Sequence, residues 1–313
     1  MSGITSDAIR VFDRRAVRRH RDRAAAGLAR HDFLLREVAE RVADRLDDIT
    51  RRFPLALDLG CHHGVLAEIL GPRGGIETLI QCDLSPTLAR AAAATGRPSL
   101  VADEEALPFA AGCLDLVLSV LSLHWVNDLP GALLQIRRAL RPDGLFLGAM
   151  LGGRTLSELR TVLMEAELAE EGGVSPRVSP FADVRDVGNL LMRAGFALPV
   201  VDVDVIPVTY PDVLTLMREL RGMGESNAVA ARRRGLTRRA TLARAAALYA
   251  ERFAGPDGRL PVTFEVLYLT AWTPAPDQPR PLRPGSARAR LADALRTAER
   301  PAGDKVPAKP ERP

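Results

Sequence analysis

Short apolar runs alternate with segments of helical periodicity along the first half of the chain. In residues 33–50, apolar positions recur every four residues and predict one helix with a single apolar stripe. After it, strands are predicted at residues 55–59, 77–82, 99–102, 114–120 and 145–151, and helices near 64–71, 86–95 and 128–140. Such alternation is typical of a parallel sheet with helices on both faces.

The second half of the chain completes this sheet. After a helical stretch at about 155–194, two further strands are predicted at residues 200–208 and 262–272, which gives seven strands. About fifty residues (209–261) with two helical patterns separate this last pair. Because the first strand of the pair is expected to run parallel to the others, its carboxyl end should open on the ligand side. The insertion is therefore predicted to lie over the site.

Three regions are predicted. A basic arm over residues 1–32 precedes the sheet domain of residues 33–272. The tail over residues 273–313 is dense in proline and charge, so it is expected to be largely disordered apart from a short helix near 287–298.

Composition excludes several classes of protein. The 313 residues are 47% hydrophobic, which suits a globular chain, and the longest apolar stretch, 144–153, is about half of the ~20 residues that a membrane helix needs. Cys61, Cys82 and Cys113 match neither paired metal ligands nor a disulfide framework, which favours the reducing cytoplasm. Aromatic residues are only 4%, too sparse for the stacking platforms of single-strand binders, so no nucleic-acid partner is predicted.

The segment "LALDLGCHHGVLAEIL", residues 55–70, has the strand, turn and helix of a cofactor loop. Gly60 and Gly64 would let the backbone approach a ligand closely. A dinucleotide loop would need a further glycine where this chain has His62, which argues against NAD. S-Adenosylmethionine has no phosphate to hold, and Asp58 is available for its cationic amino-acid end. The loop therefore favours S-adenosylmethionine.

Further markers follow in the order that this cofactor needs. Asp83 ends the second strand, nineteen residues after Gly64, and could accept hydrogen bonds from ribose hydroxyls. Asp103 ends the third strand and could accept from an adenine amine, although either aspartate alone could be an ordinary strand-end cap. The predicted cofactor-binding residues are Asp58, Gly60, Cys61, Gly64, Asp83, Leu84, Asp103, Glu104 and Ser119.

Seven segments carry a resemblance to a known family: "FDRRAVRRHRDRAA", "LALDLGC", "ADEEALPF", "LSLHWVNDLPGALLQIRRALRPDGLFLGAMLGG", "EGGVSPRVSPF", "LLMRAGF" and "GMGESN". The chain resembles the class I S-adenosylmethionine-dependent methyltransferases and, over residues 10 to 285, the mitochondrial respiratory complex I assembly factor 5 family with its bacterial relatives. The resemblance implies a methyltransferase-fold enzyme that hydroxylates an arginine on the small iron-sulfur subunit of complex I, the NADH-quinone oxidoreductase, during assembly.

The chain departs from many of these relatives in the cofactor loop. They have Cys-Gly-x-Gly where this chain has Cys61-His62-His63-Gly64. If His62 has a positive φ, the replacement of glycine costs on the order of 1 to 2 kcal/mol, and histidine tolerates that region better than most residues. We expect the loop still to bind S-adenosylmethionine.

Four residues are predicted to be catalytic: His124, Trp125, Glu225 and Asn227. His124 follows the fourth strand on the ligand side, where it could handle protons or simply cap the next helix. Trp125 is expected to wall the pocket or to pack under that helix. In "GMGESN", Glu225 and Asn227 could hold an arginine guanidinium through charge-assisted bonds, the alternative being a plain helix-capping loop.

No metal site is predicted, although hydroxylation suggests iron held by two histidines and a carboxylate. His20 and Asp22 have an H-x-D spacing, but they lie in an arginine-rich helical stretch that is expected to be a solvated face. The arginines of the arm and of residues 232–239 are also expected to be solvated. The alternative is a lid that closes on the cofactor and docks an acidic partner surface.

Three functions remain open at this point, because fold and cofactor do not separate them. The first is protein-arginine hydroxylation. The second is methyl transfer to a small acid or acyl-carrier substrate, as in the biotin-pathway malonyl-carrier methyltransferases. The third is a non-catalytic assembly chaperone that binds S-adenosylmethionine. The expected location is the bacterial cytoplasm, or the mitochondrial matrix for eukaryotic relatives, with peripheral membrane association left open.

Overall fold

Seven strands are present in the computed structural model, which describes residues 10–278, 286, 289–298 and 303. The strands are β1 (Leu55–Leu59), β2 (Thr78–Asp83), β3 (Ser99–Val101), β4 (Leu114–Val120), β5 (Leu140–Leu151), β6 (Ala197–Tyr210) and β7 (Leu260–Trp272). All seven match predicted strands, although β5 begins five residues earlier than the apolar run suggested.

The strands form one sheet in the order β3-β2-β1-β4-β5-β7-β6. The first five pair in parallel, whereas β7 pairs antiparallel with both β5 and β6. As a result, β6 points in the same direction as the parallel strands, as expected. This is the sheet of the class I S-adenosylmethionine-dependent methyltransferases, and the predicted fold class is confirmed.

Helices cover both faces of the sheet. They are α1 (Arg14–Ala24), α2 (Phe33–Asp47), α3 (Val65–Ile69), α4 (Pro86–Ala92), α5 (Leu129–Ala139), α6 (Ser157–Glu171), α7 (Val184–Arg193), α8 (Val213–Gly222) and α9 (Arg239–Phe253). A further short helix in the tail is α10 (Leu291–Ala294). One core cluster lies between the sheet and α2, α3, α6, α8 and α9, and a second lies under α5 and α7. The apolar stripe of α2 is buried, as its four-residue spacing predicted.

The second half of the chain differs from the sequence-based expectation at one place. The helical stretch at about 155–194 is broken, because α6 ends where Gly172 takes a left-handed conformation (φ 71°) and a loop with two prolines, Pro176 and Pro180, leads to α7. In the tail, α10 lies inside the predicted segment 287–298. Most of the remaining tail that was expected to be disordered, and the arm before Arg10, lie outside the described residues.

By contacts, the chain divides into one unit up to Ala275 and another from Pro276 onward. Within the described part of the chain, no helix combines the length and the apolarity that a membrane crossing requires.

The insertion between β6 and β7 is part of the core. Helix α9 packs on α6, and Tyr249 is fully buried, with its hydroxyl donating to the carbonyl oxygen of Pro261 at 2.8 Å. The insertion is therefore held by both apolar packing and a buried hydrogen bond.

We expect Tyr249→Ala to lower the free energy of unfolding by about 3 to 5 kcal/mol, because it leaves a cavity between α9 and the sheet. Tyr249→Phe removes only the hydrogen bond and should cost about 1 kcal/mol. Urea denaturation of both variants gives the comparison. A loss below about 1 kcal/mol for Tyr249→Ala would contradict a firmly docked insertion.

Candidate active site

In the turn after β1, the backbone of two glycines passes close to neighbouring side chains. Gly60 and Gly64 have positive φ values of 76° and 92°. A Cβ atom on Gly60 would lie 2.1 Å from Oγ of Ser122, and one on Gly64 would lie 2.8 Å from the Thr95 methyl group. Only glycine fits both the conformation and the space at these positions.

His62 also has a positive φ, 50°, which is a backbone conformation that favours glycine. Its backbone N–H donates to Oδ2 of Asp83 at 3.1 Å, and its ring Nε2 lies 3.1 Å from the carbonyl oxygen of Val120. Burial and the positive charge of Arg21 lower the pKa of this imidazole, which favours the neutral ring.

Asp58 is a buried carboxylate at the end of β1. It is 1% exposed, and neither carboxylate oxygen has a hydrogen-bond partner among the described residues. Burial, together with the negative charge of Asp83, raises the pKa of Asp58 to about 8. Such an unpartnered carboxyl group fits a ligand that brings a cationic group of its own.

Arg21 of α1 fills the space beside the second acid. Its Nη1 lies 3.3 Å from both carboxylate oxygens of Asp83 and 3.1 Å from Oε1 of Glu104, and Nη2 donates to Ser122 at 2.8 Å. Burial acts against the charged guanidinium, but Asp83 and Glu104 outweigh it and raise the pKa of Arg21. Burial acts to raise the pKa of Glu104, but the positive charges of Arg21 and Arg14 outweigh it and lower the pKa to about 2.

Arg14, seven residues earlier on α1, covers the third acid. Its Nη2 donates to Asp103 at 2.5 Å and to Glu104, and its Nη1 donates to the carbonyl oxygen of Trp125 at 3.2 Å. The amino-terminal arm therefore lies over the carboxylates at the strand ends instead of presenting only a solvated face.

The other predicted cofactor residues surround these acids with different contacts. The Ser119 hydroxyl donates to the carbonyl oxygen of Leu59 at 2.8 Å, and Cys61 is buried in the turn. Leu84 packs with Phe12 and Trp125. The loop and its acids fit a ligand with an ammonium group and a ribose diol, provided that Arg21 gives up its contact with Asp83.

Glu225 lies within hydrogen-bond distance of both His124 and Trp125. Trp125 Nε1 donates to Oε2 of Glu225 at 3.0 Å, and Nε2 of His124 lies 3.0 Å from the same oxygen. Burial acts to raise the pKa of Glu225, but His124, Trp125 and Arg21 outweigh it and lower the pKa. Three of the four predicted catalytic residues are therefore in contact.

Asn227, the fourth, has a structural contact at each end of its amide. Its Nδ2 donates to the carbonyl oxygen of Pro176 at 2.7 Å, and its Oδ1 accepts from the N–H of Val229 at 2.9 Å. Asn227 therefore holds its own loop against the loop that follows α6.

A chamber of about 400 Å³ opens beside Glu225. Its walls come from α2, α6, α8 and the loops that follow β5, α6 and α8, and are mostly apolar. They include Leu34, Leu159, Phe181, Met217 and Leu220. His62, Trp125 and Glu225 line the same chamber, so residues of the insertion and of the cofactor loop meet there.

The arm is joined to the loop that carries Glu225. Phe12 pairs with Val229 as an isolated β-bridge, and Nδ1 of His20 lies 3.0 Å from the carbonyl oxygen of Ser226. His20 is thus used inside the protein and does not form a solvated face. Within the described residues, no group of three or more histidines, cysteines or carboxylates could hold a metal ion.

The part of the site that sequence analysis missed is the buried pair Arg14 and Arg21. One signal was available: the two arginines are seven apart, on the same face of α1 as the buried Ala16, Val17 and Ala24. An arginine on the apolar face of a helix indicates a paired charge in the interior, because an unpaired one would be too costly to bury.

Comparisons with known proteins agree with this geometry. A family described as "Methyltransferase domain" matches residues 57–148. The arginine-hydroxylase NDUFAF5, mitochondrial, of Danio rerio is 48% identical over 90% of this chain and 89% of its own length, and that of Homo sapiens is 47% identical over 89% and 81%. A malonyl-[acyl-carrier protein] O-methyltransferase of Laribacter hongkongensis is 41% identical over 87% and 94%. The solved structure of YcgJ from Bacillus subtilis has the same fold, with a TM-score of 0.53 at 13% identity over 75% of this chain and 98% of that one.

The carboxyl group of Asp58, which has no hydrogen-bond partner among the described residues, should make the stability of the ligand-free protein depend on pH. Its pKa is about 8 in the folded chain against an ordinary 3.8, so the folded state keeps a proton that the unfolded state releases. The free energy of unfolding should therefore fall as the pH rises from about 4 to about 8. Asp58→Asn should flatten this dependence by roughly one proton.

Urea denaturation at several pH values across this range measures the slope. Asp257→Asn, at an exposed turn, is the matched control and should keep the slope of the unmodified protein. Identical slopes for the unmodified protein and Asp58→Asn would mean that Asp58 is ionised in the folded chain.

Proposed function

Since this chain belongs to the methyltransferase-fold family of the arginine-hydroxylases, to which it is 45–48% identical in four vertebrates, we propose that it binds S-adenosylmethionine and hydroxylates an arginine of a protein. The proposed reaction replaces a C–H bond of the arginine by C–OH, with one oxygen atom taken from dioxygen and the other released as water after an external reductant has supplied two electrons. The observation that carries the proposal is the Glu225 carboxylate, which His124 and Trp125 hold at the edge of an apolar chamber. A fixed carboxylate in such a place suits a guanidinium.

The cofactor would be held by the strand ends. When bound, S-adenosylmethionine supplies a sulfonium-activated methyl group and a positive charge. Asp58 would receive its ammonium group, Asp83 its ribose hydroxyls and Asp103 its adenine amine, while Gly60 allows the backbone to approach. Arg21 has to release Asp83 for this to happen, so α1 acts as the lid of the cofactor cleft.

On the acceptor side, Glu225 binds and orients the substrate. Its pKa is lowered, so it is ionised at neutral pH and can accept two charge-assisted bonds from a guanidinium. His124 and Trp125 are positioning residues, because they fix the direction of the carboxylate oxygens. The apolar walls of the chamber exclude water from the reacting part of the arginine.

A second candidate function is methyl transfer to a malonyl group on a carrier protein. The 41% identity to the Laribacter hongkongensis methyltransferase favours it. The ionised Glu225 argues against it, since a malonyl carboxylate placed at the same point would meet like charge. A non-catalytic role, with the cofactor kept as a structural ligand, is the third outcome that an experiment has to distinguish.

The proposed protein substrate is the small iron-sulfur subunit of NADH-quinone oxidoreductase, and the proposed location is the bacterial cytoplasm. Support comes from the resemblance to the assembly factor family over 89–94% of this chain. The basic outer face of α1, with Arg15, Arg18 and Arg19 exposed, suits an acidic surface on that partner.

For the cofactor, we expect Asp83→Ala to weaken S-adenosylmethionine binding at least about tenfold in calorimetry, which corresponds to about 1.4 kcal/mol. The variant loses the ribose acceptor and also a partner of Arg21. Asp257→Ala is the control, and thermal unfolding of both variants shows whether the fold is kept. Unchanged affinity for a folded Asp83→Ala protein would contradict the ribose contact.

For the reaction, intact-mass analysis of the iron-sulfur subunit from cells with and without this gene should show one added oxygen. An added methyl group elsewhere, on an acyl carrier, would support the second candidate, and no change in either protein would support the third. Glu225→Gln keeps the shape of the side chain and removes its charge. We expect it to reduce the modified fraction of the subunit about tenfold or more, with cofactor affinity retained.

The matched control is Glu165→Gln, at a half-buried position on α6 that pairs with Arg252. Full modification of the subunit by the Glu225→Gln enzyme would assign the "GMGESN" loop to a purely structural role.

A further inference from the structure

The chamber is larger and more apolar than an arginine side chain requires. Its volume of about 400 Å³ lies in the range of pockets that hold whole small molecules. A guanidinium needs only the polar edge at Glu225, so most of the wall, including Leu34, Leu159 and Met217, is left without a partner. Water in such a space finds few hydrogen-bond partners, and an apolar group that displaces it gains free energy.

The charges around the chamber indicate what else can enter. Four arginines line it, and three of them are bonded to a carboxylate: Arg177 to Glu167, Arg232 to Asp13 and Arg233 to Glu171. The fourth, Arg221, lies in the last turn of α8. Glu225 is an ionised acid at the edge of the same chamber, held by Trp125 and His124. At this edge, the lining therefore complements a ligand that combines one cationic group with a bulky apolar group.

We propose that the chamber is a second specificity pocket, which takes a large aliphatic or aromatic side chain of the substrate protein from within two positions of the target arginine. This inference rests on the proposed function, because it assumes that the guanidinium is at Glu225. In an extended segment, side chains two residues apart point to the same side. One segment can thus place its arginine against Glu225 and its apolar neighbour between α2, α6 and α8.

The test uses fluorescein-labelled peptides and anisotropy with the full chain. One peptide has a single arginine with leucine two residues before and after it, in a glycine-serine background. The second has alanine in place of both leucines, and the third keeps the leucines and replaces arginine by citrulline. We expect the leucine peptide to bind at least about tenfold more tightly than the alanine peptide, which corresponds to about 1.4 kcal/mol.

Two variants separate the chamber from the carboxylate. Met217→Trp fills the chamber with a residue that lines it, and should reduce the leucine preference to less than about threefold. Met164→Trp makes the same change on the exposed face of α6, at a position 49% exposed, and should keep the full preference. Glu225→Gln should abolish discrimination between arginine and citrulline and leave the leucine preference intact.

Equal affinities for the leucine and alanine peptides, or no binding of either, would overturn the inference. Displacement of the leucine peptide by a malonyl-pantetheine thioester, as effectively as by the unlabelled peptide, would also overturn it and identify the chamber as an acyl site.

The mass experiment keeps this inference separate from the proposed function. An added oxygen on the subunit together with equal peptide affinities refutes the second pocket alone. A strong leucine preference without any added oxygen refutes the proposed reaction and leaves the pocket as a binding site.

Discussion

The buried guanidinium of Arg21 is the interaction on which the arrangement of this site depends. Moving a charged group out of water costs several kcal/mol per ion, and this cost is offset only when each charge is paired and hydrogen-bonded. Asp83, Glu104 and Ser122 meet that condition for Arg21. Helix α1 can therefore occupy only a position that keeps Arg21 among these partners, which places the arm directly over the cofactor cleft.

The position of α1 also connects the cofactor cleft to the loop that carries Glu225. Helix α1 contacts that loop through Phe12 and His20, and the charge of Arg21 helps to lower the pKa of Glu225. A cofactor that takes over Asp83 must displace Arg21, and this displacement changes both the backbone contacts and the electrostatics at Glu225. The two halves of the site thus share one network of charges, so ligands of the two halves are expected to affect each other's affinity.

Sequence patterns predicted the sheet well, because each strand carries its own apolar run and each turn its own glycine or capping residue. They also predicted that the insertion lies on the ligand side of the sheet, since the direction of β6 determines where the insertion begins. They could not predict the partners of Arg14 and Arg21. The helical spacing places these arginines on the apolar face of α1, but the acids that they bind lie more than sixty residues away in the sequence.

His62 shows how the chain accommodates a side chain at a position whose backbone conformation favours glycine. A positive φ at a residue with a side chain costs on the order of 1 to 2 kcal/mol. The contact of the ring with the carbonyl oxygen of Val120 contributes about 1 kcal/mol and offsets part of this cost. His62 also lines the chamber beside Glu225. A single residue of the turn after β1 therefore bonds to Asp83 through its backbone and lines that chamber, which joins the two halves of the site by a second route besides Arg21.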